Sequence, residues 1–343
     1  MAGENPPKNS FTPDHVDMPD LSVVIVSYRS AEKLSLCLDS LAELSTSRIS
    51  AEVVIINNST GDEGIAELTA KYPRFIFRDN TINGGFAHGC NLGAEISSGP
   101  DLLFLNPDTV AGADAIERLT ERAGADESVM ISSCRQVKKD GCESIAWGEF
   151  PSMWNLTGLQ RAVRRLLKAG KSEAPGNGSD KFYPDWVSGS VILISRRDFE
   201  LLGGFDDRFW MYFEDVDICR RAADKGGKIV FHNDITLEHN HGGSTRTDLK
   251  TASLTKTEVM ISGHFYISKH KSGFEKALIQ SFLVINNLLS GLVPALAGVI
   301  LPFVPKVFVR TIIYGRLLQY YAGACVRGSW VSPRAAVHHQ GRE

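Results

Sequence analysis

Three carboxylates, Glu214, Asp215 and Asp217, stand together directly after a run of large apolar side chains at 209–213. A carboxylate walled by apolar side chains has a raised pKa and can act as a general base that takes a proton from a hydroxyl group. Two simpler explanations compete with this one. The helix dipole favours acidic residues at a helix N-terminus, and the two arginines on the next turn could pair with these carboxylates.

A second candidate centre combines one carboxylate with histidines. Asp108 follows a predicted strand in a turn preset by Pro107, and His239 and His241 follow another predicted strand. Such side chains can bind Mg²⁺ or Mn²⁺ while substrate phosphates fill the remaining coordination positions. Alternatively, Asp108 caps a helix over 109–119, and the histidines are structural or contact a diphosphate directly.

Polar or glycine-rich clusters follow four short apolar runs of the kind that form buried parallel strands. The clusters are Ser27-Tyr28, Asn57-Asn58, 83–89 and 106–108. The predicted strands are 21–27, 52–57, 75–78, 101–105, 186–194 and 228–231, and the predicted helices include 32–44, 63–71, 197–202 and 214–221. This alternation predicts an α/β fold with a doubly wound, mostly parallel sheet. Ligands of such sheets bind beyond the carboxyl ends of the strands, so the four clusters favour a nucleotide-type ligand.

The composition is that of an ordinary globular protein with room for one large catalytic domain and an appendage. The net charge of −3 gives no electrostatic reason to expect a nucleic-acid partner. Scattered cysteines without a C-x-x-C pair favour reduced thiols in a cytosolic protein. Residues 1–20 lack the apolar core of a signal peptide and are expected to form a disordered lead-in.

Residues 150–182 contain a basic amphipathic stretch and end in the sequence APGNGSD. This composition predicts a mobile insertion within the catalytic domain. A lid or acceptor-binding segment and a solvated insertion fit it equally well.

The stretch from Ala277 to Pro305 carries no charge, and lysines and arginines flank it on both sides. Its length could cross a bilayer, but Gln280, Asn286 and Asn287 lie inside it and prolines interrupt it. We expect a helical hairpin or interfacial helices on an anionic cytoplasmic leaflet. A buried helical subdomain, an oligomer interface and a true membrane span are the alternatives.

Six segments in this order resemble the family 2 glycosyltransferases with the GT-A fold, and within them the bacterial rhamnosyltransferase-like branch. The segments are SVVIVSYRS, VVIINNST, NGGFAHGCNLG, LLFLNPDT, WVSGSVILISRRDFELLGGFDDRFWMYFEDVDICRR and HNHGGST. The resemblance spans residues 21–250 and is specific as an ordered set. It implies a GT-A catalytic domain at 21–250, followed at 251–343 by a helical region that we expect to associate with the membrane.

The resemblance also implies roles for individual residues. The donor would be contacted by Ser27 and Tyr28 at the nucleoside, by Asn57 and Asn58 at the base and ribose, and by Asn83, Gly84 and Asn91 in the nucleotide–sugar cleft. Asp108, with Asn106, would replace the family's Asp-x-Asp metal motif, and His239 or His241 would be the late metal or diphosphate ligand. Asp215, beside Glu214, would be the catalytic base. The expected wall of the sugar and acceptor pocket is Trp186, Ser188, Gly189, Trp210 and Tyr212.

Two positions depart from the family pattern. Asn57 stands where the family often has Asp, and Asn106 replaces the first carboxylate of Asp-x-Asp, which leaves fewer charges for a metal. The Asn-Pro-Asp form is the one that the rhamnosyltransferase-like branch shows. We therefore predict an inverting, Mg²⁺- or Mn²⁺-dependent transferase that moves a sugar, rhamnose first, from a pyrimidine-nucleotide donor such as dTDP-rhamnose. The predicted acceptor is a lipid-linked saccharide of cell-surface polysaccharide synthesis, and the predicted location is the inner face of the cytoplasmic membrane.

Other functions fit the same motifs. A UDP-hexose or galactofuranose transferase would share the fold, and a catalytically dead nucleotide-sugar-binding scaffold would keep the clusters without turnover. A nucleotidyltransferase is disfavoured, because residues 27–30 offer one arginine and no glycine for a triphosphate loop. A homo-oligomer is compatible with the sequence.

Overall fold

The computed structural model describes residues 18–59, 61–156, 179–239 and 249–338. Within these ranges a sheet domain from Leu21 to His239 is followed by three long helices. Residues 1–17 of the predicted lead-in, residues 157–178 of the predicted insertion, and His241 lie outside the described residues.

The elements of the described ranges are as follows. The strands are β1 (Leu21–Ser27), β2 (Ala51–Asn57), β3 (Ile76–Asp79), β4 (Asp101–Leu105), β5 (Thr109–Val110), β6 (Val129–Val137), β7 (Trp147–Gly148), β8 (Lys181–Phe182), β9 (Trp186–Val187), β10 (Val191–Ser195) and β11 (Lys228–His239). The α-helices are α1 (Ala31–Ala42), α2 (Glu63–Lys71), α3 (Phe86–Ile96), α4 (Ala113–Ala123), α5 (Met153–Leu156), α6 (Arg196–Leu202), α7 (Glu214–Asp224), α8 (Leu249–His270), α9 (Gly273–Ile300) and α10 (Pro305–Arg327). Two 3₁₀ helices cover Glu43–Thr46 and Ala336–His338.

The main sheet has the strand order β3-β2-β1-β4-β10-β6-β11-β5, with β8 paired to β11. Strands β3, β2, β1 and β4 are parallel, as predicted. Strand β10 is antiparallel to both β4 and β6, whereas β6 and β11 are parallel, so the sheet is mixed. The sequence of β10 does not reveal its direction, because a strand buried on both faces is a continuous apolar run either way.

Successive residues of the central strands serve two separate cores. Val23 and Ile25 of β1 pack towards α1, α2 and α4, while Val24 and Val26 pack towards α3, α6 and α7. Helices therefore cover both faces of the sheet, and only its edges remain for the polar residues that follow the strands.

Three predicted elements differ in extent from the observed ones. The predicted strand 186–194 is divided into β9 and β10 by a turn at 188–190. The predicted strand 228–231 continues as β11 to His239 through a bulge after His232, where alternation resumes with Ile235 and Leu237 buried. The predicted helix 109–119 begins only at Ala113, because β5 occupies its first residues, so Asp108 caps no helix.

Helices α8, α9 and α10 pack on one another, and α9 and α10 form a helical hairpin, one of the predicted arrangements. Pro294 lies inside α9 without ending it. Pro305, which closes the charge-free run, is the first residue of α10, where its missing N–H is not needed.

Two of the three polar residues that interrupt the charge-free run, Gln280 and Asn287, face the interior of this helical group. Gln280 Nε2 donates to the carbonyl oxygen of His264 at 2.7 Å, and its Oε1 lies 2.5 Å from His264 Nδ1. The Tyr321 hydroxyl lies 2.9 Å from His264 Nε2 and accepts from Asn287 Nδ2 at 2.9 Å. This network fixes a neutral imidazole that donates from Nδ1 and accepts at Nε2.

The opposite side of α9 exposes apolar side chains at spacings of three and four residues, which is one face of a helix. They are Phe274, Leu278, Phe282, Ile285, Leu289, Leu292, Val293, Leu296, Val299 and Ile300. In the described ranges α9 alone is long and apolar enough to cross a bilayer by length and composition, with a mean hydropathy of 1.9. Only 17% of that apolar window is buried, so this helix carries its polar groups inside and its apolar groups outside.

Burial lowers the pKa of His264 to about 4 from an ordinary value of 6.5, against the hydrogen bond with Gln280. The unfolded chain therefore takes up the proton first, and the folded state loses stability as the pH falls from 6.5 through 4. The loss should reach roughly 3 kcal/mol, since one pKa unit corresponds to about 1.4 kcal/mol. Urea unfolding of the wild type and of His264→Gln between pH 4 and 7 tests this. His232 titrates with a similarly lowered pKa in both proteins and cancels in the comparison, so equal slopes for the two would contradict the prediction.

Candidate functional site

A short strand pairing brings a carboxylate and an imidazole together at one edge of the sheet. Strand β5 pairs with the end of β11 so that Thr109 lies opposite His239. Asp108, one residue earlier, then places Oδ1 3.1 Å from His239 Nε2, and both side chains are buried. Asn106 adds its amide nitrogen 3.4 Å from the same imidazole nitrogen.

Gln136, on β6, holds the imidazole of His239 from the other side. Its Oε1 lies 2.7 Å from His239 Nδ1 and also accepts from the Ser190 hydroxyl at 2.8 Å. An imidazole that donates from Nδ1 presents a lone pair at Nε2, which then faces the carboxylate of Asp108. An imidazole lone pair and a carboxylate oxygen at this separation repel unless a proton or a metal ion joins them, so the pair fits either a shared proton or a divalent cation.

No group of three His, Cys, Asp or Glu side chains that could hold a metal ion occurs within the described residues. Asp108 and His239 therefore offer two protein ligands, and a bound Mg²⁺ or Mn²⁺ would take its remaining ligands from substrate oxygens and water.

The first turn of α7 carries the candidate base. Asp215 Oδ2 accepts from the backbone N–H of Gly189 at 2.8 Å, and Oδ1 accepts from the N–H of Val216 at 2.8 Å. Burial raises the pKa of Asp215, while these two hydrogen bonds moderate the rise. Asp215 is thus an oriented, partly exposed carboxylate with increased basicity.

Glu214, the other predicted catalytic carboxylate, is buried at 5% exposure, and no hydrogen-bond partner for its Oε2 occurs among the described residues. Burial and the charge of Asp215 raise its pKa well above the ordinary value. Burial therefore favours the neutral form of Glu214, whereas the carboxylate of Asp215 is partly exposed. The third carboxylate, Asp217, is fully buried and pairs with Arg221, as the simpler explanation anticipated.

The turn at 188–190 joins the base to the metal-ligand pair. Its Gly189 binds Asp215, and its Ser190 binds Gln136 through the hydroxyl and accepts from the backbone N–H of Asn106 at 3.0 Å. Gly189, a predicted pocket residue, and Ser190 thus form the connection between the two halves of the site, and the predicted Ser188 accepts from the Ser190 hydroxyl at 3.0 Å.

A cavity of about 200 Å³ opens at the carboxyl ends of β1, β2 and β3. It is lined by Tyr28, Arg29, Asn58, Ser59, Asn80, Thr81, Ile82 and Asn83. Three of these, Tyr28, Asn58 and Asn83, were expected to contact the donor, and the structure brings them together. The side chain of Asn58 is bonded within the protein, since its Nδ2 donates to the carbonyl oxygen of Gly85 at 3.0 Å and its Oδ1 accepts from Asn80 at 2.9 Å. The cavity offers amide donors and acceptors, one aromatic ring and one cation.

Two other residues expected at the donor, Ser27 and Asn57, use their side chains within the protein. Ser27 is buried with its hydroxyl 2.9 Å from that of Ser30. Asn57 donates to Asp79 at 2.7 Å and exchanges two hydrogen bonds with the backbone of Ser59. These side chains shape the loops beneath the cavity and do not line it.

Asn91 connects α3 to the 205–207 loop. Its amide group donates to the carbonyl oxygen of Phe205 at 2.8 Å and to Asp207 at 2.6 Å, and its oxygen accepts from the N–H of Phe205 at 2.9 Å. All of its polar atoms are engaged, so Asn91 holds the loop that leads to the base.

The glycine-rich loop and the aromatic run before α7 are hydrogen-bonded to each other. Trp210, only 5% exposed, donates its indole N–H to the carbonyl oxygen of Asn83 at 3.0 Å and accepts from the N–H of Phe86 at 3.0 Å. Gly85 has a φ of +92°, and a side chain there would overlap the Trp210 carbonyl. Gly84 is similarly confined, because a Cβ there would lie 2.6 Å from the ring of His88.

The aromatic residues expected to wall the sugar pocket therefore differ in position. Trp210 is buried and holds the glycine-rich loop through its two hydrogen bonds. Trp186 donates its indole N–H to the carbonyl oxygen of Glu149 at 2.9 Å and packs over Gly148. Tyr212 is partly exposed in the turn that precedes Asp215, with a φ of +70°. Of the three, Tyr212 is placed best for contact with a substrate.

Sequence reasoning missed Gln136, Arg29 and Asn80. Asn80 directly follows β3 and so repeats the pattern of the other strand-end clusters, which could have identified it. Arg29 follows Tyr28 in such a cluster and has a φ of +48° that only the structure reveals. Gln136 gives no signal in the sequence, since its role depends on the pairing of β6 with β11.

Comparison with known proteins adds an independent finding. Residues 22–179 match the profile described as glycosyl transferase family 2, and residues 176–241 match the profile described as the N-terminal domain of galactosyltransferase.

The low-salt glycan biosynthesis hexosyltransferase of Haloferax volcanii is 28% identical over 208 residues, which are 59% of this chain and 61% of the relative. The N-acetylglucosaminyl-diphospho-decaprenol L-rhamnosyltransferase of Mycobacterium tuberculosis is 26% identical over 256 residues, 66% of this chain and 78% of the relative. The match thus covers less than two thirds of the length of the Haloferax relative.

Among solved structures, the chain is similar to the mannosyltransferase of Pyrobaculum calidifontis in complex with GDP-Man and Mn²⁺. The TM-score is 0.50 at 16% identity, over 95% of this chain and 80% of that chain. At this identity the likeness is one of fold, and it confirms the predicted GT-A architecture.

Proposed function

Because the chain belongs to glycosyl transferase family 2, in its rhamnosyltransferase-like branch, we propose that it is an inverting, divalent-metal-dependent transferase. The proposed donor is a pyrimidine-nucleotide sugar, dTDP-rhamnose first, and the proposed acceptor is a lipid-linked saccharide of cell-surface polysaccharide synthesis. One observation supports this above all: Asp215 and the Asp108–His239 pair lie at one edge of the sheet, joined through the 188–190 turn.

Asp215 is the proposed base. It accepts the proton of the acceptor hydroxyl, whose oxygen forms the new bond to the anomeric carbon while the bond from that carbon to the diphosphate oxygen breaks. The hydrogen bonds from Gly189 and Val216 keep the carboxylate oriented, and burial makes it more basic. Attack from the face opposite the leaving diphosphate inverts the anomeric centre.

Asp108 and His239 are the proposed protein ligands of Mg²⁺ or Mn²⁺, whose charge neutralises the leaving diphosphate. Gln136 holds the imidazole with Nε2 towards Asp108, and Asn106 contributes a neutral amide in place of a second carboxylate. With so few protein charges, we expect the ion to bind tightly only together with the diphosphate. The Mn²⁺ in the Pyrobaculum complex supports a divalent ion in this fold.

The donor and acceptor are proposed from the cavity and from the relatives. Tyr28, which is 40% exposed, offers a ring for stacking on a pyrimidine, and the side-chain amide of Asn83 offers a donor and an acceptor to its edge. The M. tuberculosis relative is named for L-rhamnose and for a diphospho-decaprenol acceptor. These words support rhamnose and a lipid-linked saccharide for this chain.

The proposed location is the inner face of the cytoplasmic membrane. The apolar face of α9 is exposed, and Lys306 and Arg310 are exposed at the start of α10 beside it. Apolar side chains flanked by basic ones bind the interface of an anionic bilayer. Such a position would bring the site to an acceptor that is itself held in the membrane.

Replacing Asp215 by Asn should abolish the base at nearly the same side-chain volume, although the amide can accept from only one of the two backbone N–H groups that the carboxylate binds. We expect kcat for transfer to a lipid-linked acceptor to fall by roughly 10²- to 10⁴-fold while the donor still binds. Glu214→Gln is the matched control and should retain activity within about threefold, because a buried neutral acid resembles an amide. The acidic limb of the wild-type kcat/KM profile should lie above the ordinary aspartate pKa of 3.8. Full turnover of the Asp215→Asn variant would refute the mechanism, whereas donor binding without turnover in the wild type would favour a nucleotide-sugar-binding scaffold.

Thermal unfolding with different ligands should rank the donors and test the metal together. We expect dTDP-rhamnose to stabilise the protein more than UDP-glucose or UDP-galactofuranose at equal concentration. At a hundredfold excess over its Kd, a bound donor should raise the free energy of unfolding by about 2.7 kcal/mol relative to the ligand-free protein. Mn²⁺ should increase this stabilisation in the wild type and much less in Asp108→Asn. Thymidine, which lacks a diphosphate, should show no Mn²⁺ effect in either protein. An equal Mn²⁺ effect in both proteins would exclude Asp108 as a ligand, and a larger effect of a UDP-sugar would exclude dTDP-rhamnose.

Polar substitutions on α9 should weaken membrane binding. Leu289 and Val293 are 68% and 71% exposed, and we expect replacement of both by Ser to lower the partition coefficient onto anionic vesicles by at least about tenfold. Leu201→Ser is the matched control, since Leu201 is 53% exposed on α6 of the sheet domain. Flotation of each variant with its soluble activity measured alongside provides the test. Equal flotation of the double variant and the wild type would contradict the interfacial role.

A further inference from the structure

Helix α8 contacts the segment that precedes and carries the proposed base. We propose that Lys269 and Ser262 of α8 are positioning residues for Asp215, which makes the C-terminal helical region a part of the active site. This inference rests on the proposed function, because it takes Asp215 as the base.

The backbone before Asp215 adopts a conformation that it would not favour alone. Tyr212 and Phe213 have φ values of +70° and +68°, in the left-handed region that bulky L residues rarely adopt. Phe213 is also the N-cap residue of α7, and its carbonyl oxygen accepts from the N–H of Asp217 at 2.8 Å. Such a turn persists only where neighbouring residues stabilise it. Its conformation determines the direction in which the side chain of Asp215 extends from the first turn of α7.

One face of α8 supplies that support on the upstream side. The Ser262 hydroxyl donates to the carbonyl oxygen of Met211 at 2.8 Å. The ring of Phe213 packs over Gly263, where an added Cβ would lie 3.6 Å from it, and lies 5.7 Å from the ring of Tyr266. These contacts fall at positions 262, 263 and 266, which share one side of the helix.

Lys269, one turn further along the same face, bridges the two sides of the strained turn. Its ammonium group lies 2.6 Å from Asp206 Oδ2, in the loop before the turn, and 2.6 Å from Asp217 Oδ1, in the helix after it. Both carboxylates are largely buried, so the bridge is shielded from water and salt. A single cation therefore sets the separation between the loop and the helix that carries Asp215.

Asp217 is the ion-pair partner of Lys269 on α7, and we do not propose it as a second base. Burial works against its ionisation, but the hydrogen bond from His270 and the charges of Arg221 and Lys269 lower its pKa. His270 Nε2 and Arg221 Nε lie 2.7 and 2.8 Å from its two oxygens. Asp217 thus remains an anion to which α8 is attached.

Lys269 belongs to the catalytic domain by its contacts, although it lies among the basic residues that precede α9. The basic residues before α9 could be taken as lipid-facing, yet the side chain of Lys269 is only 19% exposed and points to the catalytic domain. A truncation at residue 270 would remove the helices that pack against α8 together with the membrane surface. Point substitutions are needed to separate positioning from membrane binding.

The test compares Lys269→Met, Lys269→Arg and Lys271→Met in the full chain. Lys271 is the matched control, since its ammonium pairs only with the exposed Glu275 of the next turn in the ion pairs of the described residues. We expect Lys269→Met to lower kcat by about tenfold to a hundredfold, because small displacements of a catalytic group cost that much. The KM for the donor should change by less than about twofold, because none of the residues that line the cavity belongs to α8 or to the turn that it supports. Lys269→Arg should restore most of kcat, and Lys271→Met should match the wild type.

Ser262→Ala provides a second variant in case Lys269→Met does not fold, and its kcat should fall by about threefold or more at unchanged donor KM. The proposal is overturned if kcat of Lys269→Met and of Ser262→Ala stays within about twofold of the wild type. It is also overturned if kcat, donor affinity and melting temperature decline in parallel and Lys269→Arg restores none of them, since that pattern marks a merely structural residue. A wild type without transferase activity would instead refute the proposed function, so the two failures are distinguishable.

Discussion

The pairing of β5 with the last two residues of β11 is the contact on which the candidate site depends. It places Asp108 against His239, although the two are 131 residues apart in the chain. The imidazole can meet the carboxylate in a defined orientation only because Gln136, on the neighbouring β6, engages its other nitrogen. A pair of this kind is therefore a property of three adjacent strands, and the two longer ones are held in register by buried apolar side chains such as Ile131 of β6 and Phe231 of β11.

A continuous set of hydrogen bonds extends from this pair to the proposed base. Ser190 binds Gln136, and Gly189 binds Asp215, so a single turn between β9 and β10 touches both. The glycine-rich loop approaches from the opposite side, where Gly85 lets the backbone contact Trp210. Charge neutralisation at the diphosphate and proton removal at the acceptor would then occur in one rigid frame, which is what pre-organised catalysis requires.

The C-terminal helices α8, α9 and α10 combine polar contacts on the inside with an exposed apolar face on the outside. On the inside they bury a polar network around His264 and attach Lys269 to the catalytic domain, and on the outside α9 exposes an apolar face. In water such an arrangement leaves a large apolar surface uncovered, which marks an interaction surface. Because α8 supports the turn before Asp215 and also packs against the exposed hairpin, the proposed membrane surface and the proposed base share one scaffold.

The sequence by itself determined the parallel strands, the helices around them, the strand-end clusters and the family, since these follow from local apolar patterns and from ordered motifs. Asp108, His239 and Asp215 could be named in this way, as could Tyr28, Asn58 and Asn83 of the cavity. Only the tertiary structure decided the direction of β10, the internal bracing by Asn91 and Trp210, and the roles of Gln136 and Lys269. It also assigned Glu214 to the interior and turned Gln280 and Asn287 away from the apolar face of α9. The physical reason is that a side chain's partner across the sheet or across a helix interface is set by packing between segments distant in sequence, whereas periodicity reports only what each segment buries.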